Sequence, residues 1–131
     1  RFFIRRLSSG RLLMINHYKF SHRIDLDDIM RQGNVKRWKG RSHLTAMLSE
    51  DDGATWPYTL LLDERDEVSY PDAKEADDGY IYVTYDHQRV TKREILMARF
   101  TEQDILAGRL QSSRSTLRIL VNKALGQPDI H

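Results

Sequence analysis

The sequence predicts an all-β chain, and three observations carry that expectation. Short apolar runs rich in β-branched and aromatic residues recur along it, turn residues separate them, and a single segment bears the start and stop signals of a helix. Phe2 to Arg6 and Arg11 to Asn16 flank the turn Ser8-Ser9-Gly10. They predict a hairpin buried on both faces, because Leu12, Leu13, Met14 and Ile15 are continuously apolar. The polar loop 18–40 has no strand alternation and carries Asp25, Asp27 and Asp28 beside Arg23 and Arg31, with one helical turn expected at Leu26 to Arg31. Strand character returns at His43 to Ser49, where Leu44, Ala46 and Leu48 share one side and Thr45 and Met47 the other. Tyr58 to Leu62, Tyr80 to Tyr85, Ile95 to Phe100 and Leu117 to Val121 complete seven expected strands. Between them, Asp63 to Glu67 reads as a solvated turn and His87 to Arg93 as a polar turn, with Glu94 and Arg99 forming surface pairs. Thr101 as N-cap, acidic residues behind it and Gly108 as the stop predict a short helix over 101–107. The tail from Gly126, with Pro128, is expected to be loose.

The bulk properties bound the function. At 131 residues the chain supports one domain, and 40% hydrophobic with 31% charged residues is the composition of a globular chain. The 21 Lys and Arg and 19 Asp and Glu are interspersed and sum to +2, which argues against nucleic acid as a partner. No apolar run is long enough for a helix to cross a bilayer, so no membrane partner is expected. Without cysteine there is neither a disulfide framework nor a thiolate metal site, and both reducing and oxidising compartments stay open. Arg1 leads straight into Phe2-Phe3-Ile4 with no signal pattern, so the chain is expected to be cut from a larger protein.

Ser49-Glu50-Asp51-Asp52-Gly53-Ala54-Thr55-Trp56 fits the Asp-box pattern S-x-D-x-G-x-T-W at every fixed position. In such a turn Asp51 accepts from turn amides, Gly53 takes a positive φ, Ser49 and Thr55 bond locally, and Trp56 packs beneath. With this box 49–56 go Glu67-Val68-Ser69-Tyr70-Pro71-Asp72, Asp78-Gly79-Tyr80-Ile81-Tyr82-Val83-Thr84-Tyr85-Asp86 and Glu94-Ile95-Leu96-Met97-Ala98-Arg99-Phe100. Together they resemble the closing part of a sialidase-superfamily propeller, over most of the chain. The resemblance implies that residues 1–131 are a C-terminal portion, about two blades, of a six-bladed β-propeller, and it favours a secreted or periplasmic setting. Missing blades or self-association would then cover the exposed strand edges.

The same resemblance assigns candidate roles. Tyr70 lies where sialidases carry their catalytic tyrosine, a phenol that needs a carboxylate partner because its free pKa is near 10. That partner, and the family's aspartate acid/base, are expected upstream of Arg1. Arg11 to Asn16 is similar to the strand before one arginine of the carboxylate-binding triad, but His17 follows it where the arginine would stand. A histidine is a single-point donor, mostly neutral at pH 7, and does not replace a bidentate guanidinium. The resemblance therefore implies either a glycoside hydrolase whose substrate is not sialic acid, or a non-catalytic carbohydrate-binding or scaffold propeller; a protein-interaction propeller is a third class. His17 is a candidate for binding sugar hydroxyls or for a general base, since with His22 and Asp25 it fits no metal-ligand spacing, and neither metal nor cofactor is expected. Arg41 is a candidate positive charge for the ligand or a solvated strand-start arginine. Asp72 lines the same pocket or braces the turn after Pro71, and Trp38 stacks on a sugar or covers a neighbouring blade.

Overall fold

The computed structural model describes residues 2–18 and 41–123. Eight strands and one short helix lie within them: β1 (Phe3–Arg6), β2 (Leu12–His17), β3 (Leu44–Ser49), β4 (Tyr58–Asp63), β5 (Val68–Glu75), β6 (Tyr80–His87), β7 (Glu94–Thr101), α1 (Glu102–Ala107) and β8 (Thr116–Lys123). The strands form two four-stranded sheets, each in chain order, β1-β2-β3-β4 and β5-β6-β7-β8. Every pairing is antiparallel. Two successive four-stranded meanders are the arrangement of two neighbouring propeller blades, as the all-β prediction requires.

The core follows the period-two alternation of each strand. Leu13 and Ile15 of β2, Ala46 and Leu48 of β3, and Leu60 and Leu62 of β4 form one apolar cluster with Ile81, Val83 and Tyr85 of β6 and Leu96, Ala98 and Phe100 of β7. Ile105 of α1 joins it. The first hairpin departs from expectation, because β1 is exposed after Phe3 and β2 alternates, so the hairpin is buried on one face only. In β2 Leu13 and Ile15 are buried while Leu12 and Met14 on the other face stay partly exposed, which the continuous apolar run concealed.

The helix forms as its caps dictate. The Thr101 side chain accepts from the Asp104 N–H, the Asp104 carboxylate accepts from the Thr101 N–H, and Gly108 ends the helix at φ 72. Asp104 is fully buried and also accepts from the amides of Gln111 and Ser112, at 2.7 and 2.9 Å, and from the Ser115 hydroxyl. Burial alone would raise its pKa, but these donors outweigh that and hold it at about 2. One carboxylate thus organises the chain between β7 and β8. The turn after β1 grips the same region: Ser9 donates to Glu102 at 2.6 Å, and Arg11 pairs with Glu102 at 2.9 Å.

The Asp-box turn has the bonding its residue types call for. Gly53 N–H donates to Ser49 Oγ at 2.8 Å, and Ser49 Oγ donates to Asp51 Oδ1 at 2.7 Å. Asp51 also accepts the Thr55 N–H at 2.8 Å and the Thr55 hydroxyl at 2.6 Å. These donors, the Thr55 hydroxyl foremost, lower the Asp51 pKa to about 2. Gly53 sits at φ +91, and a Cβ there would lie 3.6 Å from Trp56 Cζ2, so the half-buried indole packs directly beneath the glycine.

Three sequence expectations are corrected. The stretch Asp63 to Glu67 is not a solvated turn throughout, because Asp63 ends β4 and is fully buried. It accepts from Arg65 Nε at 2.9 Å, Arg65 Nη2 at 2.7 Å and, across the blades, Tyr85 OH at 2.9 Å. His87 belongs to β6, is buried, and meets Glu94 at 2.7 Å, so Glu94 is no surface-pair residue. Finally, an eighth strand, β5, occupies Val68–Glu75, beyond the seven strands expected. The expected helical turn at 26–31 lies outside the described residues.

Candidate functional site

Pro71 is what shapes the site. It has no N–H to give a ladder, and the pairing slips around it: Ser69 faces Asp86 and Asp72 faces Thr84, so Tyr70 and Pro71 together oppose Tyr85 alone. That is a β-bulge, which re-aims a side chain out of the regular alternation. Tyr70 adopts φ 55, a left-handed conformation that costs a bulky residue of order 1–3 kcal/mol and persists only where the surroundings enforce it.

The re-aimed Tyr70 lines a cavity of about 550 Å³ with Arg41, Glu67, Ser69, Arg89, Val90 and Thr91. A volume of that order falls in the range of small-molecule sites. Three segments meet there. Glu67 immediately precedes β5 and Ser69 and Tyr70 lie at its start, Arg89 to Thr91 come from the β6–β7 hairpin, and Arg41 from the stretch entering β3. The Val68 N–H donates to the Arg41 carbonyl at 3.1 Å and the Gln88 N–H to the Glu67 carbonyl at 2.9 Å, which locks the segments together. Positive φ values gather here: Glu67 and Tyr70 on the wall, Gln88 and Arg93 at the shoulders of the hairpin, and His43 two residues beyond Arg41.

The electrostatics centre on the Tyr70 ring. The Arg89 guanidinium carbon lies 4.4 Å from the ring centroid and that of Arg41 lies 5.9 Å away. Both are within cation–π range. Asp86 stands behind them, accepting from Ser69 Oγ at 2.9 Å and pairing with Arg89 at 3.6 Å.

The remaining expected residues are placed as follows. His17 Nε2 meets the Val68 carbonyl at 2.5 Å, and because a carbonyl only accepts, Nε2 carries the proton. The imidazole so bridges β2 to the root of the bulge, joining the blades two residues before Tyr70. Asp72 is exposed, does not line the cavity, and its carboxylate accepts from the Ala73 N–H at 3.0 Å. Trp38 lies outside the described residues. The structure therefore brings Tyr70 and Arg41 together, with His17 in support, and leaves Asp72 apart. Glu67, Arg89, Val90 and Thr91 went unrecognised; Pro71 inside a strand pattern was the one signal of a bulge. Among the described residues, no group of three or more His, Cys, Asp or Glu could hold a metal ion.

Residues 4–83 match the model of the BNR repeat-like domain. The chain belongs to that family. No curated protein and no solved structure matches it. The BNR repeat-like stretch takes in both the Asp-box turn and the Tyr70 bulge, whereas Arg89 and its hairpin lie beyond it.

Proposed function

We propose that this BNR repeat-like chain is part of a carbohydrate-active propeller, a sialidase-like glycoside hydrolase with Tyr70 as its catalytic phenol. The observation that carries the reading is the bulge: a tyrosine held at φ 55 and aimed into a cavity beside two guanidinium groups. Strain of this kind is retained where a side chain is needed in one place. In the proposed reaction the Tyr70 oxygen bonds to the anomeric carbon as the bond to the leaving oxygen breaks; one carboxylate takes the phenol proton, a second carboxyl group protonates the leaving oxygen, and water then displaces Tyr70 from the sugar. Glu67 is a carboxylate on the same cavity wall. Arg41 orients the ligand, and His17 holds the root of the bulge rather than a sugar hydroxyl. The substrate class is a glycoside other than a sialoside, since His17 stands in place of a carboxylate-gripping arginine.

The test is turnover of a panel of aryl glycosides, a sialoside included, by the intact protein and its Tyr70→Phe variant. Tyr70→Phe is expected to lower kcat at least a hundredfold on the substrate that is cleaved; undiminished turnover refutes the assignment. A second reading is a carbohydrate-binding propeller without catalysis, favoured by the commitment of His17 to a main-chain carbonyl. It predicts calorimetric binding of the sugar with no release of chromophore.

A further inference from the structure

Arg89 is a residue that neither the repeat motif nor the strand pattern points to, yet the fold spends structure on placing it. Its hairpin is tied internally: Thr91 N–H donates to the Gln88 carbonyl at 3.1 Å, Arg93 N–H to the same carbonyl at 2.8 Å, and the Thr91 hydroxyl to Gln88 Oε1 at 3.0 Å. Gln88 and Arg93, at its two shoulders, are both held at φ 51. The Gln88 N–H bonds the Glu67 carbonyl, so the hairpin is also fastened to the strand that carries Tyr70. Asp86 then directs the Arg89 side chain from below at 3.6 Å while accepting from Ser69, the neighbour of Tyr70. More than half of the Arg89 side chain is exposed, and an unconstrained arginine in that position would extend into water. Instead its guanidinium lies over the Tyr70 ring.

We infer that Arg89 is the positioning residue of this site: it seats the Tyr70 ring against the cavity wall and stabilises the phenolate formed there. Two physical facts support this. A guanidinium stays charged at every pH at which a phenol titrates, and an opposite charge within a few ångströms favours the ionised form. Charged groups reach Tyr70 from several elements: Arg89 from the β6–β7 hairpin and Arg41 from the entry to β3 lie over its ring, Glu67 just before β5 shares its cavity wall, and Asp86 of β6 holds its neighbour Ser69. Glu67 opposes ionisation of the phenol, and Asp86, paired with Arg89 at 3.6 Å, offsets part of the guanidinium charge. Arg89 lies nearer to the ring centroid than Arg41, at 4.4 against 5.9 Å.

The inference rests on Tyr70 being the reactive phenol, but its test does not require turnover. The intact chain, with carbon-13 at the tyrosine Cζ atoms, is titrated by NMR, and the Tyr70→Phe variant identifies the Tyr70 resonance. In Arg89→Met, confirmed folded by circular dichroism, the Tyr70 titration is expected to move to higher pH, with about tenfold less phenolate at a given pH on the rising limb. Arg89→Lys, which keeps the charge and loses the planar stack, is expected to fall between the two. Lys92→Met, on the same hairpin but not lining the cavity, removes an equal charge and is expected to leave the titration in place. An Arg89→Met titration that coincides with wild type overturns the inference, as does an equal shift in Lys92→Met. A protein that cleaves no glycoside but shows the Arg89-dependent shift loses the catalytic reading alone. Turnover abolished by Tyr70→Phe, with no Arg89 effect on the titration, sinks this inference alone.

Discussion

Tyr85→Phe is expected to loosen the join between the two blades by about 2 kcal/mol. The substitution keeps the ring that packs in the core and removes one hydroxyl, whose partner is the fully buried carboxylate of Asp63 at 2.9 Å. Hydrogen bonds to a charged group contribute roughly 1.5–3 kcal/mol each. Because Arg65 still grips Asp63 through two side-chain nitrogens, the loss belongs in the lower half of that range. Asp63→Asn is the harsher change. Burial alone would push the Asp63 pKa up, but Arg65 and Tyr85 together bring it below the ordinary carboxylate value, so the folded protein holds the charged form. Neutralising it strips Arg65 of its counter-charge, and because that guanidinium is 35% exposed and partly screened by water, the expected cost is about 2–3 kcal/mol. Since the two substitutions act on one contact, their double-mutant cycle should show a coupling of about 1–2 kcal/mol. Urea unfolding followed by tryptophan fluorescence reads all three quantities as midpoint shifts at constant slope. A Tyr85→Phe midpoint within error of wild type, or strictly additive costs, would show that this polar contact does not hold the blades together.

Asp51 and Asp104 both have pKa values lowered from 3.8 to about 2, so each contributes stability that is complete above about pH 4 and lost as pH falls through about 2. For the buried Asp104 the shift corresponds to about 2 kcal/mol, and Asp104→Asn should flatten the acid limb of a circular-dichroism stability profile by that amount; an unchanged limb contradicts the account. Gly53→Ala, at φ +91 with the indole of Trp56 beneath it, should lower stability by about 1 kcal/mol and perturb tryptophan emission, whereas an unaltered melting curve would mean that the turn does not need its left-handed residue.

Much of the fold was legible because its determinants are local. The Asp-box turn needs Ser49, Asp51, Gly53 and Thr55 within a few residues of one another, and they bond as their types demand. The helix followed from Thr101, Asp104 and Gly108 for the same reason. The site was legible only in part. Tyr70, expected from the family resemblance, and Arg41, expected from its place before the Asp-box strand, line one cavity, but Asp72 shares a segment with Tyr70 and does not line it, because the bulge changes which side chains share a face. Arg89 sits in what reads as an ordinary polar turn, and nothing in its neighbours announces a ring 19 positions earlier in the chain.

By itself the sequence determined the strand class, the tight turns and the helix caps, since each is settled by steric and hydrogen-bonding preferences acting over three or four residues. Tertiary structure alone decided which charged groups are buried and which side chains meet at the cavity. Asp63 is acidic in any reading of the sequence, and it becomes a buried inter-blade anchor only because Tyr85 arrives from the other sheet. Tyr70 likewise acquires its guanidinium neighbours only when the hairpin after β6 folds back over β5, a long-range pairing that no local preference encodes.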